Sequence, residues 1–165
     1  MITLNSITHT YPGENEAALR DVSLTLGDST ITALFGPNGS GKTTLMQILS
    51  GLLPASSGSV SINGTGMRPN DLLAYSVMVS SDRDFDNSSA GALVAYASLR
   101  PTWDQKLFDR YARRFGFQMK RRKKVRKMSS GQAAILAGAV ALASGAPITV
   151  LDEIQAPLDV GWGPA

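Results

Sequence analysis

Apolar residues recur along the chain with two different periods, which predict strands and helices in alternation. Val22, Leu24 and Leu26 are separated by polar residues, and this period of two predicts a half-buried strand. Residues 43–52 carry leucine and isoleucine at helical spacing, so we expect a helix there. Similar patterns predict strands over residues 2–8, 60–62, 75–79 and 148–151, and helices over residues 90–99, 105–115 and 132–143.

Residues 31–35 (ITALF) form a nearly continuous apolar run just before a glycine-rich segment. Such a run is typical of a strand that is covered on both faces, as in a parallel sheet. Strands that alternate with helices favour an α/β fold. We therefore expect an α/β sheet into which the two helices near residues 90–115, and the basic run after them, are inserted.

The composition is that of a globular protein with one local imbalance of charge. The 165 residues suffice for one domain with a core, and the absence of cysteine excludes disulfides and a thiol nucleophile. The single histidine, His9, argues against a histidine-based metal site, and we interpret it as an ordinary residue of the first strand. Residues 120–127 hold seven basic residues in eight, and without them the chain has 9 basic and 13 acidic residues. This run has two open interpretations, a solvated face or a contact with the phosphate groups of lipid or nucleic acid.

Two segments bear on location. The N-terminus has no charged region followed by an apolar one, so no secretory signal is predicted. Residues 128–151 contain no charge over 24 positions, which is nominally enough to span a bilayer. This stretch opens with polar residues and is broken at 144–147 (SGAP), so we interpret it as a buried helix, a turn and a buried strand.

The segment 36–43 matches the phosphate-binding pattern G-x-x-x-x-G-K-[ST] at every fixed position, between a predicted strand and a predicted helix. Turns at its glycines aim backbone N–H groups at phosphate oxygens, and the following helix adds the positive end of its dipole. Lys42 is expected to reach the β- and γ-phosphates, and the Thr43 hydroxyl to ligate Mg²⁺. The predicted nucleotide-binding residues here are Gly36, Pro37, Asn38, Gly39, Ser40, Gly41, Lys42, Thr43 and Thr44.

Two acidic residues, Asp152 and Glu153, end the last predicted strand. An acid at the carboxyl end of a parallel strand faces the crevice where ligands bind. We expect Asp152 to hold Mg²⁺, directly or through water, and Glu153 to polarise the attacking water as a general base. The alternative interpretation is a solvated strand end.

Met128-Ser129-Ser130-Gly131-Gln132 resembles the LSGGQ signature of ATP-binding cassette (ABC) ATPases. Ser129 lies 87 residues after Lys42 and 23 before Asp152, an order and spacing similar to that family's. Residues 156–159 (APLD) resemble the family's D-loop, and the resemblance covers nearly the whole chain. A plain helix N-cap at residues 129 and 130 is compatible with this interpretation.

The resemblance implies a P-loop NTPase (RecA-like) fold with a parallel-sheet core, an antiparallel β subdomain and a helical subdomain over about residues 83–145, all within one domain. It implies that two ATP-binding domains, as a homo- or heterodimer, sandwich ATP head to tail. Tyr11 then stacks on adenine, while Ser129, Gly131 and Gln132 contact the ATP of the opposite subunit. The implied role is the ATPase of a transporter with a separate membrane permease, on the cytoplasmic face of the membrane.

The sequence departs from the family at four places. Ser130 replaces a signature glycine, Ile154 replaces a proline, and Ser81 stands where a glutamine contacts Mg²⁺. No switch histidine follows the D-loop, so the chain resembles an ABC ATPase that lacks C-terminal strands, and such a chain is expected to expose a sheet edge. Two alternatives therefore stay open: a nucleotide-binding module that does not hydrolyse ATP, and an ABC-type protein acting on nucleic acid.

Overall fold

The structure, a computed structural model, describes residues 1–80, 88–116, 118 and 120–153. Ser81, Ile154 and the D-loop-like residues 156–159 lie outside the described residues. The chain divides into two compact units, Met1–Ser76 and Val77–Ala165. Whether both belong to one ABC-type domain stays a prediction.

The first unit is built on an antiparallel sheet. Its elements are β1 (Ile2–His9), β2 (Leu19–Leu26), α1 (Lys42–Leu49), β3 (Ser57–Ile62), β4 (Thr65–Met67) and α2 (Pro69–Tyr75). The sheet order is β2-β1-β3-β4, with β1 antiparallel to both of its neighbours. Leu4, Ile7 and Val60 are buried, while Val22, Leu24 and Leu26 are half-buried, so the predicted alternation is confirmed.

Two short helices complete this unit. Helix α1 buries Leu45, Ile48 and Leu49 as its spacing predicted, but it ends three residues early, and Leu52 is exposed. Helix α2 begins with a capping box at its N-terminus, where Asp71 accepts hydrogen bonds from the backbone and guanidinium of Arg68. The Arg68 guanidinium lowers the pKa of the Asp71 carboxyl by hydrogen bonding.

The prediction of a buried strand over residues 31–35 is wrong for this structure. The segment has no strand geometry, and Ile31 and Phe35 are 102% and 89% exposed. A strand that is covered on both faces needs neighbouring strands to take its backbone hydrogen bonds. Neither of the two sheets includes residues 31–35.

The second unit holds the predicted helices. Its elements are α3 (Ala90–Ala97), α4 (Gln105–Arg114), a 3₁₀ turn (Val125–Lys127), α5 (Ser130–Ala143) and β6 (Ile148–Asp152), and β6 pairs with β5 (Ser76–Ser80). Phe108 and Leu136 are 2% and 1% exposed at the centre of the helical core. Trp103 packs against the same core.

The uncharged stretch 128–151 folds as the predicted helix, turn and strand, but the strand is buried on one face only. Helix α5 ends at Ala143 and β6 begins at Ile148, so a turn separates a helix from a strand. The strand buries Ile148, Val150 and Asp152 and exposes Leu151, so it is covered on one face and not on both. Within the described ranges, none of the helices has the length and apolar character that crossing a bilayer requires.

Candidate functional site

The glycine-rich loop leads directly into helix α1. Gly39 and Gly41 have φ angles of 80° and 86°, and Gly41 is the N-cap of the helix. These left-handed angles are costly for residues with a Cβ. Gly41 also lies against the chain before β2, where a Cβ would stand 2.5 Å from the Ala18 carbonyl oxygen and 2.7 Å from Leu19 Cδ2. Glycine at position 41 is therefore required by both backbone angle and space.

The side chain of Lys42 curls back over the loop that precedes it. Its Nζ donates to the carbonyl oxygens of Gly36 and Pro37, at 2.9 and 2.8 Å. The loop residues 36–40 are exposed, so their backbone groups are open to a ligand. The ammonium thus lies within the loop, at the start of a helix whose first N–H groups favour an anion.

The first turn of α1 holds Thr43 and Thr44, and the second of these contacts Tyr11. Thr43 is exposed, whereas Thr44 is 6% exposed, and its hydroxyl is 3.0 Å from the hydroxyl of Tyr11. The Tyr11 ring is 37% exposed and meets His9 edge to face, with ring centroids 4.8 Å apart. Tyr11 is therefore tied to helix α1 while part of its ring stays accessible.

His9 is a feature of this region that the sequence did not reveal. It was expected to be an ordinary strand residue, and it does lie at the end of β1. However, it is only 5% exposed, and neither ring nitrogen has a hydrogen-bond partner among the described residues. The polarity of one strand residue does not indicate whether it is buried, so no sequence signal was available.

In the second unit, the two predicted acids have contrasting environments. Asp152 is the last residue of β6 and is 7% exposed. Glu153, the next residue, is exposed and has a φ angle of 52°, which is uncommon for a residue with a side chain. Such backbone strain occurs often at functional sites. The described residues contain no group of three or more histidine, cysteine, aspartate or glutamate side chains suited to a metal.

The signature-like segment caps helix α5. Ser129 Oγ accepts from the backbone N–H of Gln132 at 3.2 Å, and the Gln132 side chain accepts from the N–H of Ser129 at 3.4 Å. This reciprocal pair is a capping box, so the helix-cap interpretation is confirmed. Gly131 lies half-buried in the first turn. A contact that the sequence did not predict comes from Lys123, whose Nζ donates to Gln132 Oε1 at 3.3 Å.

The glycine-rich loop, its lysine and the helix that follows define a P-loop nucleotide-binding protein. The family model for ABC transporters matches residues 19–156, which is most of the chain. The chain belongs to the ABC transporter family, as a nucleotide-binding domain.

Individual proteins agree with this assignment. The chain is 33% identical to an ATP-dependent lipid A-core flippase of Dechloromonas aromatica, over 96% of its own length and 29% of the flippase. It therefore spans less than a third of the length of that relative. Among solved structures, a bacterial Atm1-family ABC exporter with ATP bound matches with a TM-score of 0.80 at 22% identity, over 96% of this chain and 30% of the exporter.

A second solved structure, a dimeric bacterial ABC transporter cassette, matches with a TM-score of 0.76 at 24% identity, over 96% of this chain and 76% of the cassette. At these identities the structural likenesses establish the fold alone. They confirm the prediction of a P-loop NTPase of the α/β class.

Proposed function

We propose that this chain binds Mg²⁺-ATP and couples the binding and hydrolysis of ATP to the movement of a substrate across a membrane, through a separate permease subunit. The observation that carries the proposal is the loop at residues 36–43, with the Lys42 ammonium on its carbonyl oxygens and helix α1 behind it. On binding, Lys42 would exchange these carbonyls for phosphate oxygens, because the ammonium attracts a negatively charged oxygen more strongly than a neutral carbonyl oxygen.

We propose the following roles for the other residues that the sequence predicted. The partly exposed ring of Tyr11 would stack on the adenine. Thr43 and Asp152, together with Ser81 beyond the described residues, would hold Mg²⁺, which usually combines one or two carboxylates with substrate phosphates. Once bound, Mg²⁺ neutralises charge on the phosphate oxygens during transfer. Glu153, exposed at the end of β6, would act as the general base toward water.

The signature segment would act in a dimer, on the cytoplasmic face of the membrane. Ser129, Gly131 and Gln132 surround the N-terminus of a 14-residue helix, which favours an anionic group. We propose that this group is the γ-phosphate of ATP held by a second ATP-binding domain. A relative named as a lipid A-core flippase supports a transport role, while the substrate and its direction stay open.

Binding and hydrolysis are tested separately. At a ligand concentration 100 times the dissociation constant, Mg²⁺-ATP should stabilise the chain by about 2.7 kcal/mol in thermal unfolding. Lys42→Ala should abolish this shift, with circular dichroism confirming that the variant is folded. No shift in the folded wild-type chain would contradict ATP binding.

For hydrolysis, Glu153→Gln should lower ATP turnover by about 10²- to 10⁴-fold while leaving ATP affinity intact, because it removes only the base. The control is Asp104→Asn, which also removes one carboxylate. Asp104 lies at an exposed position of the second unit. Equal turnover in Glu153→Gln and the wild type would instead favour a module that binds ATP without hydrolysing it.

A further inference from the structure

The second unit, which contains α3, α4 and α5 and which we call the helical unit, carries a strongly basic surface. The proposed nucleotide chemistry does not use this surface. Between Asp109 and Asp152 the sequence has ten lysine and arginine residues and no acid. Six of these cations are exposed in one short segment, and we call them the basic surface: Lys120, Arg121, Arg122, Lys124, Arg126 and Lys127. In the described part of the chain, no ion pair involves any of the six.

The backbone of this segment is fixed against the helical core. The N–H of Gly91 donates to the Arg121 carbonyl at 2.8 Å, and the N–H of Ala90 donates to the Lys123 carbonyl at 3.0 Å. Val125, at the centre of the run, is 5% exposed within the core. Because Val125 is buried and the backbone is held by α3, the neighbouring cations extend into solvent from a fixed backbone.

A groove beside the basic surface combines positive charge with an apolar wall. It has a volume of about 440 Å³, and its lining includes Lys120 and Lys123 together with Phe115, Met128 and Ile135. Cations next to apolar side chains suit an amphiphile, whose anionic group and hydrocarbon part are joined. The segment 120–127 contains no aromatic residue, so the basic surface itself offers no platform on which the bases of a single strand would stack.

We propose that the basic surface docks this chain on anionic lipid headgroups of a membrane. Clusters of four to eight lysine and arginine residues next to a membrane attract anionic lipids over about a Debye length. The positive charge of the basic surface does not depend on the proposed transport function. The choice of a membrane over a nucleic acid as its partner does rest on that function. The docking would hold the helical unit at the bilayer independently of ATP.

Co-sedimentation of the purified chain with lipid vesicles tests this proposal. The wild-type chain is mixed with vesicles of phosphatidylcholine and phosphatidylglycerol, or of phosphatidylcholine alone, at several salt concentrations. Arg121→Gln/Arg122→Gln removes two charges from the basic surface. Arg20→Gln/Lys106→Gln removes two exposed charges elsewhere and is the matched control. Circular dichroism and titration with a fluorescent ATP analogue follow folding and nucleotide binding in each variant.

The wild type should bind only the vesicles that contain phosphatidylglycerol, and binding should weaken as salt rises. The Arg121→Gln/Arg122→Gln variant should bind about 30-fold more weakly, from the attraction expected per basic residue near an anionic surface. The control should bind nearly as well as the wild type. Equal losses in the two variants, equal binding to both kinds of vesicle, or tighter binding to duplex RNA than to the anionic vesicles would overturn the proposal.

The nucleotide titration separates this proposal from the proposed function. If lipid binding is absent while the ATP analogue binds, the docking surface is wrong and the nucleotide-binding role stands. If the analogue does not bind while lipid docking follows the basic surface, the nucleotide-binding role is wrong and the docking surface stands.

Discussion

The two glycines with left-handed backbone angles in the phosphate-binding loop offer a matched pair of substitutions. Gly41→Ala places a Cβ 2.5 Å from the Ala18 carbonyl oxygen, within a loop position whose φ angle is 86°. Gly39→Ala has a similar φ angle of 80°, but a Cβ there has no neighbour within 4 Å. The two variants therefore share the backbone penalty and differ in the steric one.

The expected losses follow from these two terms. A left-handed angle costs a residue with a Cβ about 1–2 kcal/mol, so Gly39→Ala should lower the free energy of unfolding by roughly that amount. Gly41→Ala adds a contact with a backbone atom that has little freedom to move, and overpacking of this kind costs about 1–3 kcal/mol more. The difference between the variants should therefore be about 1–3 kcal/mol, with Gly41→Ala the less stable.

Urea unfolding followed by circular dichroism measures both variants without nucleotide. The two variants can be compared only if the slope of the unfolding free energy against urea concentration is the same in both. A different slope would indicate that unfolding exposes a different amount of surface. Equal losses in the two variants would refute the packing of Gly41 against Ala18 and Leu19. Stabilisation by Gly39→Ala would refute the left-handed angle at position 39.

Two further predictions concern residues around the loop and the signature helix. Tyr11→Phe removes the hydrogen bond to Thr44 but keeps the ring, so it should cost about 0.5–1.5 kcal/mol in urea unfolding with little change in ATP affinity. Tyr11→Ala should also weaken ATP binding, and an unchanged affinity would refute stacking. Ser129→Ala should cost about 1 kcal/mol through loss of the helix cap, whereas Ser129→Asp should keep the stability and prevent ATP-dependent dimerisation in analytical ultracentrifugation. Dimerisation of Ser129→Asp at the wild-type ATP concentration would contradict the phosphate contact.

Local patterns in the sequence predicted most elements, because each depends on neighbouring residues. The alternation at Val22, Leu24 and Leu26 and the helical spacing in residues 132–143 correspond to elements that bury the expected face or lie in the core. The turns at Gly39 and Gly41 were equally predictable, since they depend on the backbone of a few consecutive residues, whereas the phosphate contact stays a prediction. Helix ends were less accurate: α1 ends at Leu49 because Gly51, with a φ angle of 74°, follows the C-cap Ser50 and stops the helix.

The segment 31–35 shows where such patterns stop being informative. Its apolar residues indicate that the segment is suited to burial, but they do not specify which residues would cover it. The structure leaves Ile31 and Phe35 exposed, so the apolar character of the segment is not matched by burial. Hydrophobicity is a property of one segment, whereas strand pairing requires two. The sequence of residues 31–35 alone was therefore insufficient to predict whether they form a strand.

The signature helix shows how one residue can satisfy both a local and a distant requirement. The Ser129 hydroxyl has two acceptor positions and one proton. The capping box uses an acceptor position, since Oγ receives the N–H of Gln132, and this leaves the proton available to donate to a phosphate oxygen. The cap and the proposed phosphate contact therefore do not compete, and the cap holds the hydroxyl at the positive end of the helix dipole. An aspartate would satisfy the cap equally well but has no proton to donate, so the proposed phosphate contact, and not the cap, distinguishes serine from aspartate at this position.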